Sequence, residues 1–226
     1  MMSFSYQSFV KQKIKTARAI ADGCCDGTYA EGSIILCSII SAMSAIAWPG
    51  DNIDKKRFVE IITRYPLGVD PKKVSKPLLA QDGKVSNSVL GISNIAYYLT
   101  EDVDLNETDV LRLCPNLKLS EIRKYSYAHL LYEQIRCSYA HEYRTGQKAK
   151  DHDSLRPIAH INDSAISYVN ENRGTTLYRS IHFPFKWIAS VTEGVARGLD
   201  NEPSNKGKMP FDDLCLGVPV PWWLEG

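Results

Sequence analysis

The 226-residue sequence lacks a surplus of charge of either sign. Its 27 lysines and arginines are balanced by 26 aspartates and glutamates, which gives a formal net charge of +1. This balance excludes a protein that grips nucleic acid along a broad basic surface, although it leaves room for a small phosphate site. The composition, 44% hydrophobic and 23% charged, also excludes a largely disordered chain and indicates a globular one.

Common motifs for metals, cofactors and hydrolysis are missing from the sequence. The six cysteines form no C-x-x-C pair, and no Cys/His spacing matches a zinc knuckle or ribbon. There is no P-loop, no G-x-S-x-G elbow and no dinucleotide fingerprint. We therefore predict no metal and no cofactor, and we interpret Asp151-His152-Asp153 as a solvated loop. The adjacent Cys24 and Cys25 could be redox-sensitive, but adjacent thiols before a turn are more often incidental.

The sequence also lacks a secretory signal, because its first residues do not run from a basic to an apolar segment. We expect a cytoplasmic protein with reduced thiols. The uncharged stretch 32–50 contains an apolar core that is short for a membrane span. It is better explained as a helix buried at the centre of a bundle, with Leu36, Ile39, Ile40, Met43 and Ile46 in the core. We therefore predict no membrane association.

Hydrophobic periodicity predicts a mainly α fold: a helical bundle of four to five core helices with a small inserted β-hairpin. The predicted helices span about 3–21, 31–48, 54–64, 108–113, 120–144 and 184–199. Two β-like runs, 165–169 and 175–183, flank a turn-rich segment and predict the hairpin, within an insert at 157–183. The stretch 92–99 fits a short helix or a strand equally well. We predict one domain over 1–200, with an irregular excursion at 66–118 and a Pro/Gly-rich tail at 201–226 in which Trp222-Trp223 suggests docking.

The predicted helix at 120–144 carries most of the unusual chemistry. Within it, Arg136, His141 and Tyr143 bring together a permanent cation, an imidazole and a phenol. A guanidinium can hold phosphate oxygens and stabilise the charge that develops in a transition state. An imidazole with a pKa near neutrality can take or give the proton of an attacking or leaving hydroxyl. These residue types therefore suit phosphodiester chemistry, although an Arg and a His at this spacing also occur together by chance.

The spacing R-x-x-x-x-H near the end of a long helix resembles the HEPN superfamily of helical ribonucleases and nucleotide-binding domains. Glu142 and Tyr143 extend the match to R-x-x-x-x-H-x-Y, the form seen in HEPN toxins paired with nucleotidyltransferase antitoxins. The resemblance covers about half of the chain: the helices near 3–21, 31–48, 120–144 and 184–199. The sequence departs from the family at Cys137, where many active members have Asn, Asp or His.

The resemblance implies a metal-independent endoribonuclease, acting as a toxin or an antiviral-defence effector. The 2′-hydroxyl of RNA would attack the neighbouring phosphodiester, with His141 as general base or acid and Arg136 neutralising the phosphate. Tyr143 and Glu142 would position the RNA or be the target of a regulatory partner, such as a nucleotidyltransferase antitoxin. The alternative is a non-catalytic HEPN-like domain that binds a nucleotide or a protein, which Cys137 and the near-neutral charge favour.

We also expect a homodimer in which two motif helices face each other. The expectation comes partly from the resemblance, since HEPN sites are commonly composite across a two-fold axis. It is also physical, because positions five apart on an α-helix lie roughly 140° apart around the axis, so Arg136 and His141 of one chain converge poorly. The aromatic side chains of Tyr132, Tyr139 and Tyr143, expected to be exposed, would supply dimer contacts and a stacking surface for unpaired bases.

Overall fold

The computed structural model of the chain describes residues 5–91, 98–100, 103–150, 165–173 and 176–203. Its helices, in chain order, are α1 (Tyr6–Ala21), α2 (Tyr29–Ala47), α3 (Asp54–Arg64), α4 (Lys76–Gln81), α5 (Glu107–Leu113), α6 (Leu119–Arg123), α7 (Tyr127–Leu130), α8 (Ser138–Glu142) and α9 (Phe185–Asn201). A 3-10 turn, Cys24–Asp26, follows α1, and a π-helical segment, Leu131–Cys137, joins α7 to α8. The strands are β1 (Tyr98–Thr100), β2 (Ser167–Arg173) and β3 (Thr176–His182).

The described chain divides into two compact units. The helical unit contains the residues up to Pro71 and those from Ile188 onward, and the mixed unit runs from Lys72 to Trp187. The predicted mainly α fold with a small antiparallel sheet is confirmed. A single domain over 1–200 and a HEPN-like arrangement of the helices stay predictions. The predicted tail, including Trp222-Trp223, lies almost wholly outside the described residues, and Asp151-His152-Asp153 lies outside them as well.

The core of the helical unit is built on α2, which packs against both α1 and α3. A capping box starts α2: the Thr28 backbone N–H donates to the Glu31 carboxylate at 2.7 Å, and the Ala30 N–H donates to the Thr28 hydroxyl. The predicted burial of the α2 core is confirmed except at Ile46, which is only half-buried although Ser44 and Ala47 in the same turn are buried. In the described residues, α2 is the one helix long and apolar enough to span a membrane, a test that a buried core helix also passes.

Polar contacts join the start of α1 to the end of α9. The Asp200 carboxylate, near the end of α9, accepts hydrogen bonds from the backbone N–H groups of Tyr6 and Gln7, each at 2.9 Å. These two donors have no partner within α1, so Asp200 satisfies them and places a negative charge at the positive end of the helix. Further along α9, a Cβ at Gly198 would overlap the ring of Tyr65, so glycine there permits the close approach of these two segments.

The mixed unit contains a three-stranded antiparallel sheet in the order β1-β2-β3. β2 and β3 form the predicted hairpin, with Ser167 opposite His182 and Arg173 opposite Thr176. The segment 92–99, left open between helix and strand, ends as β1, while 92–97 lies outside the described residues. α5 confirms the short helix expected at 108–113, and α4 adds regular structure to a span predicted as irregular.

The continuous helix predicted over 120–144 is wrong at its start. α6 ends at Arg123, and a new helix begins at Tyr127 with Ser126 as its N-cap, whose hydroxyl accepts a hydrogen bond from the His129 N–H. Ser126 is also a bridge partner of Val74, so long-range backbone pairing interrupts a helix that the local pattern favours. From Tyr127 to Glu142 the helical conformation is continuous, and we call this stretch, α7 with the π-helical segment and α8, the motif helix.

Candidate functional site

An extended segment, 73–75, fixes the start of the motif helix. The Val74 N–H donates to the Leu105 carbonyl at 2.8 Å, and the Ser75 N–H donates to the Tyr125 carbonyl at 2.8 Å. The Tyr127 N–H in turn donates to the Lys73 carbonyl at 2.9 Å. The first residue of the motif helix is therefore tied by its backbone to a segment more than fifty residues earlier in the chain.

A buried carboxylate, Asp104, reinforces this junction. It accepts hydrogen bonds from the hydroxyls of Tyr127 and Tyr168 and from the Lys76 backbone N–H at 2.9 Å. The Tyr168 hydroxyl also lies 2.8 Å from the Ser75 hydroxyl, so the cluster links the motif helix to β2. Burial raises the pKa of Asp104 to about 7, even though the tyrosine hydrogen bonds oppose this shift.

Aromatic side chains also pack around the N-terminal end of the motif helix. The ring of Tyr127 meets the rings of Phe183 and Trp187 edge to face, with centroids 6.4 and 6.0 Å apart. All three side chains are buried. Such pairs stabilise a fold beyond the area that they bury. The N-terminal end of the helix is thus rigid, which is the condition for presenting functional groups further along it.

Arg136 lies in the π-helical segment. Its guanidinium lies over the ring of Tyr132, 5.3 Å from the centroid, and donates to the Cys137 sulfur at 3.7 Å. The Ser138 hydroxyl donates to the Glu133 carbonyl, five residues back, at 2.9 Å, which supports the wider turn. π-helical segments are rare and are frequent at functional sites. Arg136 therefore has a defined position on a distorted turn and remains partly exposed.

His141, Glu142 and Tyr143 form the exposed end of the motif helix. His141 is exposed and, among the described residues, has no hydrogen-bond or ion-pair partner. The Glu142 carboxylate accepts from the Arg144 guanidinium at 2.7 Å. Tyr143 ends the helix in a left-handed conformation, with φ 55°, and 63% of its surface is exposed. The imidazole and the phenol that the motif predicts are therefore open to a substrate.

The residues that follow the motif helix are hydrogen-bonded back to it. The Gly146 N–H donates to the Gln134 carbonyl at 2.8 Å, and the Lys148 N–H donates to the Gln134 side chain at 3.0 Å. The Lys148 carbonyl then accepts from the Ile181 N–H, and the Lys150 N–H donates to the Ile181 carbonyl, which adds 148–150 to the edge of β3. Both ends of the exposed turn at 140–145 are therefore held by hydrogen bonds.

Two of the expected surface aromatics are buried, and this part of the prediction is wrong. Tyr132 is 8% exposed and Tyr139 is 2% exposed, so neither ring can stack on an unpaired base. They lie seven residues apart, with the buried Ile135 between them, and form an interior stripe of the motif helix. Tyr132 still serves the site indirectly because its ring supports Arg136. Of the three tyrosines, Tyr143 alone is presented to solvent.

Sequence reasoning missed the residues that hold the site in place. Asp104, Tyr127 and Tyr168 come from segments separated by 23 and 64 residues, and no local pattern signals that they meet. A second missed group joins Asp82 to Lys148 and, at 2.6 Å, to the hydroxyl of Tyr125. Burial opposes ionisation of Asp82, but these hydrogen bonds outweigh it and lower its pKa. His182, at the end of β3, is buried, with Nδ1 3.3 Å from the Lys150 carbonyl oxygen.

Two open grooves lie in the helical unit. One of about 350 Å³ is lined by residues including Arg64, Gly194 and Arg197, and another of about 320 Å³ by residues including Lys11 and Glu193.

No protein-family model matches the chain, and neither a curated protein nor a solved structure matches it. The function proposed below therefore comes from the chemistry of the motif helix and from the resemblance of its residues to the HEPN pattern.

Proposed function

We propose that the protein is a metal-independent endoribonuclease of the HEPN type. The observation that carries the proposal is the placement of Arg136 and His141 in the C-terminal half of one anchored helix, with Tyr143 directly after its end and all three side chains accessible to solvent. Arg136 holds and neutralises the scissile phosphate, and His141 transfers a proton to or from a reacting hydroxyl. The 2′-hydroxyl of the RNA attacks its own phosphodiester, the bond to the next 5′-oxygen breaks, and a cyclic phosphate remains.

The remaining surface residues have supporting roles in this proposal. Tyr143 offers an exposed ring for an unpaired base or a hydroxyl for a regulatory partner such as a nucleotidyltransferase antitoxin. Glu142 pairs with Arg144 and limits the net positive charge of the exposed turn. Cys137, where active HEPN proteins often carry a polar residue, accepts a hydrogen bond from Arg136 and helps to orient it.

Cleavage of mixed RNA in the presence of EDTA tests the proposal. We expect cleavage to persist without divalent metal and to leave 2′,3′-cyclic ends that resist phosphatase until acid opens the ring. His141→Ala should lower the rate by about 100-fold or more, the range typical of a lost general acid or base. His129→Asn is the matched control, since His129 lies on the same helix, pairs with Glu133 and has no catalytic role here. Binding of RNA without cleavage would favour the non-catalytic domain instead.

We further propose that the working unit is a homodimer with a composite site. After Arg136, only Cys137 still belongs to the π-helical segment, and the chain from Ser138 to His141 is α-helical. Because His141 comes five residues after Arg136, their side chains point roughly 140° apart around the helix axis. A two-fold axis along the exposed end of the motif helix brings a second pair into the same cleft. With Tyr132 and Tyr139 buried, Tyr143 is the aromatic residue left for this contact.

Light scattering and subunit mixing test the composite site. We expect a dimer at micromolar concentration and partial recovery of cleavage when Arg136→Ala and His141→Ala subunits are mixed. A monodisperse monomer of about 25 kDa that still cleaves RNA would contradict the composite site, while leaving the single-chain chemistry to be judged by the EDTA assay.

A further inference from the structure

The loop between α1 and α2 carries two adjacent, exposed thiols. Cys24 and Cys25 lie in the 3-10 turn, and their sulfur atoms are 3.7 Å apart. The other described cysteines lie elsewhere: Cys37 and Cys114 are buried, and Cys137 contacts Arg136. Cys24 and Cys25 are thus a pair of sulfurs in contact with each other and open to a soluble reagent.

The backbone of this loop is held in an uncommon conformation. Cys25 has φ 58° and ψ 36°, and Asp26 also has φ 58°, so two consecutive non-glycine residues lie in the left-handed region. Such conformations cost free energy and persist where the surroundings determine them. Here Gly27 contributes, because a Cβ at this position would overlap the side chain of Ile20 in α1. The strained turn keeps the two thiols on the outside of the loop.

We propose that Cys24 and Cys25 are a reversible oxidation site that hydrogen peroxide converts to a disulfide between adjacent residues. The Cys25 sulfur attacks one peroxide oxygen, the O–O bond breaks, and hydroxide leaves and is protonated to water. The Cys24 sulfur then attacks the Cys25 sulfur, the S–O bond breaks, and the departing hydroxide takes up the Cys24 proton. The two thiols lose two electrons and two protons to one peroxide, which yields two waters.

The contact with Cys25 raises the pKa of the Cys24 thiol, mainly through the hydrogen bond between the two sulfurs. Because the thiolate is the nucleophile in thiol oxidation, this shift favours Cys25 over Cys24 for the first attack on peroxide.

The geometry of adjacent cysteines makes the product easy to reduce. Successive Cα atoms are about 3.8 Å apart across a trans peptide bond, closer than the roughly 4.4–6.8 Å of ordinary disulfides. The ring is therefore strained, and strained or exposed disulfides are the labile ones. We expect a reversible switch rather than a permanent cross-link.

Peptide mass spectrometry of the full-length protein tests the proposal. Cleavage before aspartates releases residues 22–25, which contain these two cysteines and no other. After brief hydrogen peroxide treatment, this peptide should be lighter by two hydrogens and resist alkylation. Dithiothreitol should restore alkylation at both positions.

Cysteine variants provide the controls. Cys24→Ser and Cys25→Ser should abolish the loss of two hydrogens and give an added oxygen or a cross-link to a second chain. Cys137→Ser should leave the result unchanged. If the wild-type peptide stays fully alkylatable, or gains oxygen without losing two hydrogens, the proposal is overturned, whatever the outcome of the RNA assay.

Discussion

The two units of the chain both have apolar cores, but their buried carboxylates are held differently: Glu60 in the helical unit pairs with Arg64, whereas Asp104 in the mixed unit is held by tyrosine hydroxyls and a backbone N–H. The helical unit buries apolar side chains along α2, among them Leu36, Ile40 and Met43. The mixed unit buries a carboxylate, Asp104, at the junction between the motif helix and the sheet. Apolar burial is insensitive to pH, whereas a buried carboxylate makes stability depend on protonation. We therefore expect Asp104 to make the stability of the mixed unit, which carries the candidate site, depend on pH.

The largest expected effect is a loss of stability when apolar side chains are removed from the core of the helical unit. Leu36→Ala or Ile40→Ala removes a fully buried side chain from the centre of α2 and should lower the unfolding free energy by about 2–5 kcal/mol. Urea unfolding of each variant measures the loss. Ile46→Ala, at a half-buried position of the same helix, is the control and should cost clearly less. Losses under about half a kcal/mol at both Leu36 and Ile40 would show that α2 is not the core.

The second prediction concerns the buried carboxylate. The pKa of Asp104 is about 7 in the folded protein and 3.8 in its ordinary state, so between these values the folded protein binds the extra proton. The contribution of Asp104 to stability is therefore complete below about pH 4 and is lost as the pH rises to about 7. The decrease in unfolding free energy from this group cannot exceed about 1.4 kcal/mol per pH unit.

Asp104→Asn isolates this contribution because the amide does not titrate. We expect the difference in unfolding free energy, variant minus wild type, to rise between about pH 4 and pH 7 and to level off above that. Urea unfolding at several pH values measures it. Parallel pH curves for the two proteins would contradict the raised pKa of Asp104. Asp200→Asn, at a half-buried cap in the helical unit, provides the matched comparison.

The smallest expected effect tests the polar contact of the helical unit. Asp200→Ala removes the acceptor for the first N–H groups of α1 and should cost about 0.5–2 kcal/mol. Asp200→Asn keeps a carbonyl acceptor and should cost less. Thermal unfolding can rank the three proteins. An Asp200→Ala loss as large as that of Leu36→Ala would mean that the helical unit depends on polar contacts as strongly as on its core.

Local patterns predicted the elements whose causes are local. The limits of α3 follow from its acidic start at Asp54 and the Tyr65-Pro66 end, and the hairpin follows from alternation around a turn-rich segment. The break at Ser126 could not be predicted in this way, because it depends on backbone pairing with Val74. The motif residues themselves were visible in the sequence. The cluster around Asp104 was not, since its members meet only after the chain has folded.

The burial of Tyr132 and Tyr139 shows a different kind of failure. Tyr132 and Tyr139 are seven residues apart with Ile135 between them, a spacing that places all three on one face of a helix. Their phenol hydroxyls nevertheless favoured the interpretation of an exposed polar surface. Tyrosine satisfies both descriptions because it has an apolar body and a polar tip. For the burial of these two tyrosines, their spacing from the apolar Ile135 is a better predictor than the polarity of the residue type.

The π-helical segment has a consequence for comparing this chain with others by sequence. A wider turn holds one more residue than an α-helical turn, so deleting any single residue within Leu131–Cys137 would allow regular α-helical hydrogen bonding to continue. Because one turn completes a full revolution in either geometry, the residues on the two sides of the deletion would keep nearly the same relative orientation. Homologues that lack one residue here would therefore present the flanking residues on the same helix faces, although the spacing in the sequence is shorter by one. Sequence alignments should therefore allow a one-residue gap at this point, and spacing within the motif should be counted from Cys137 onward.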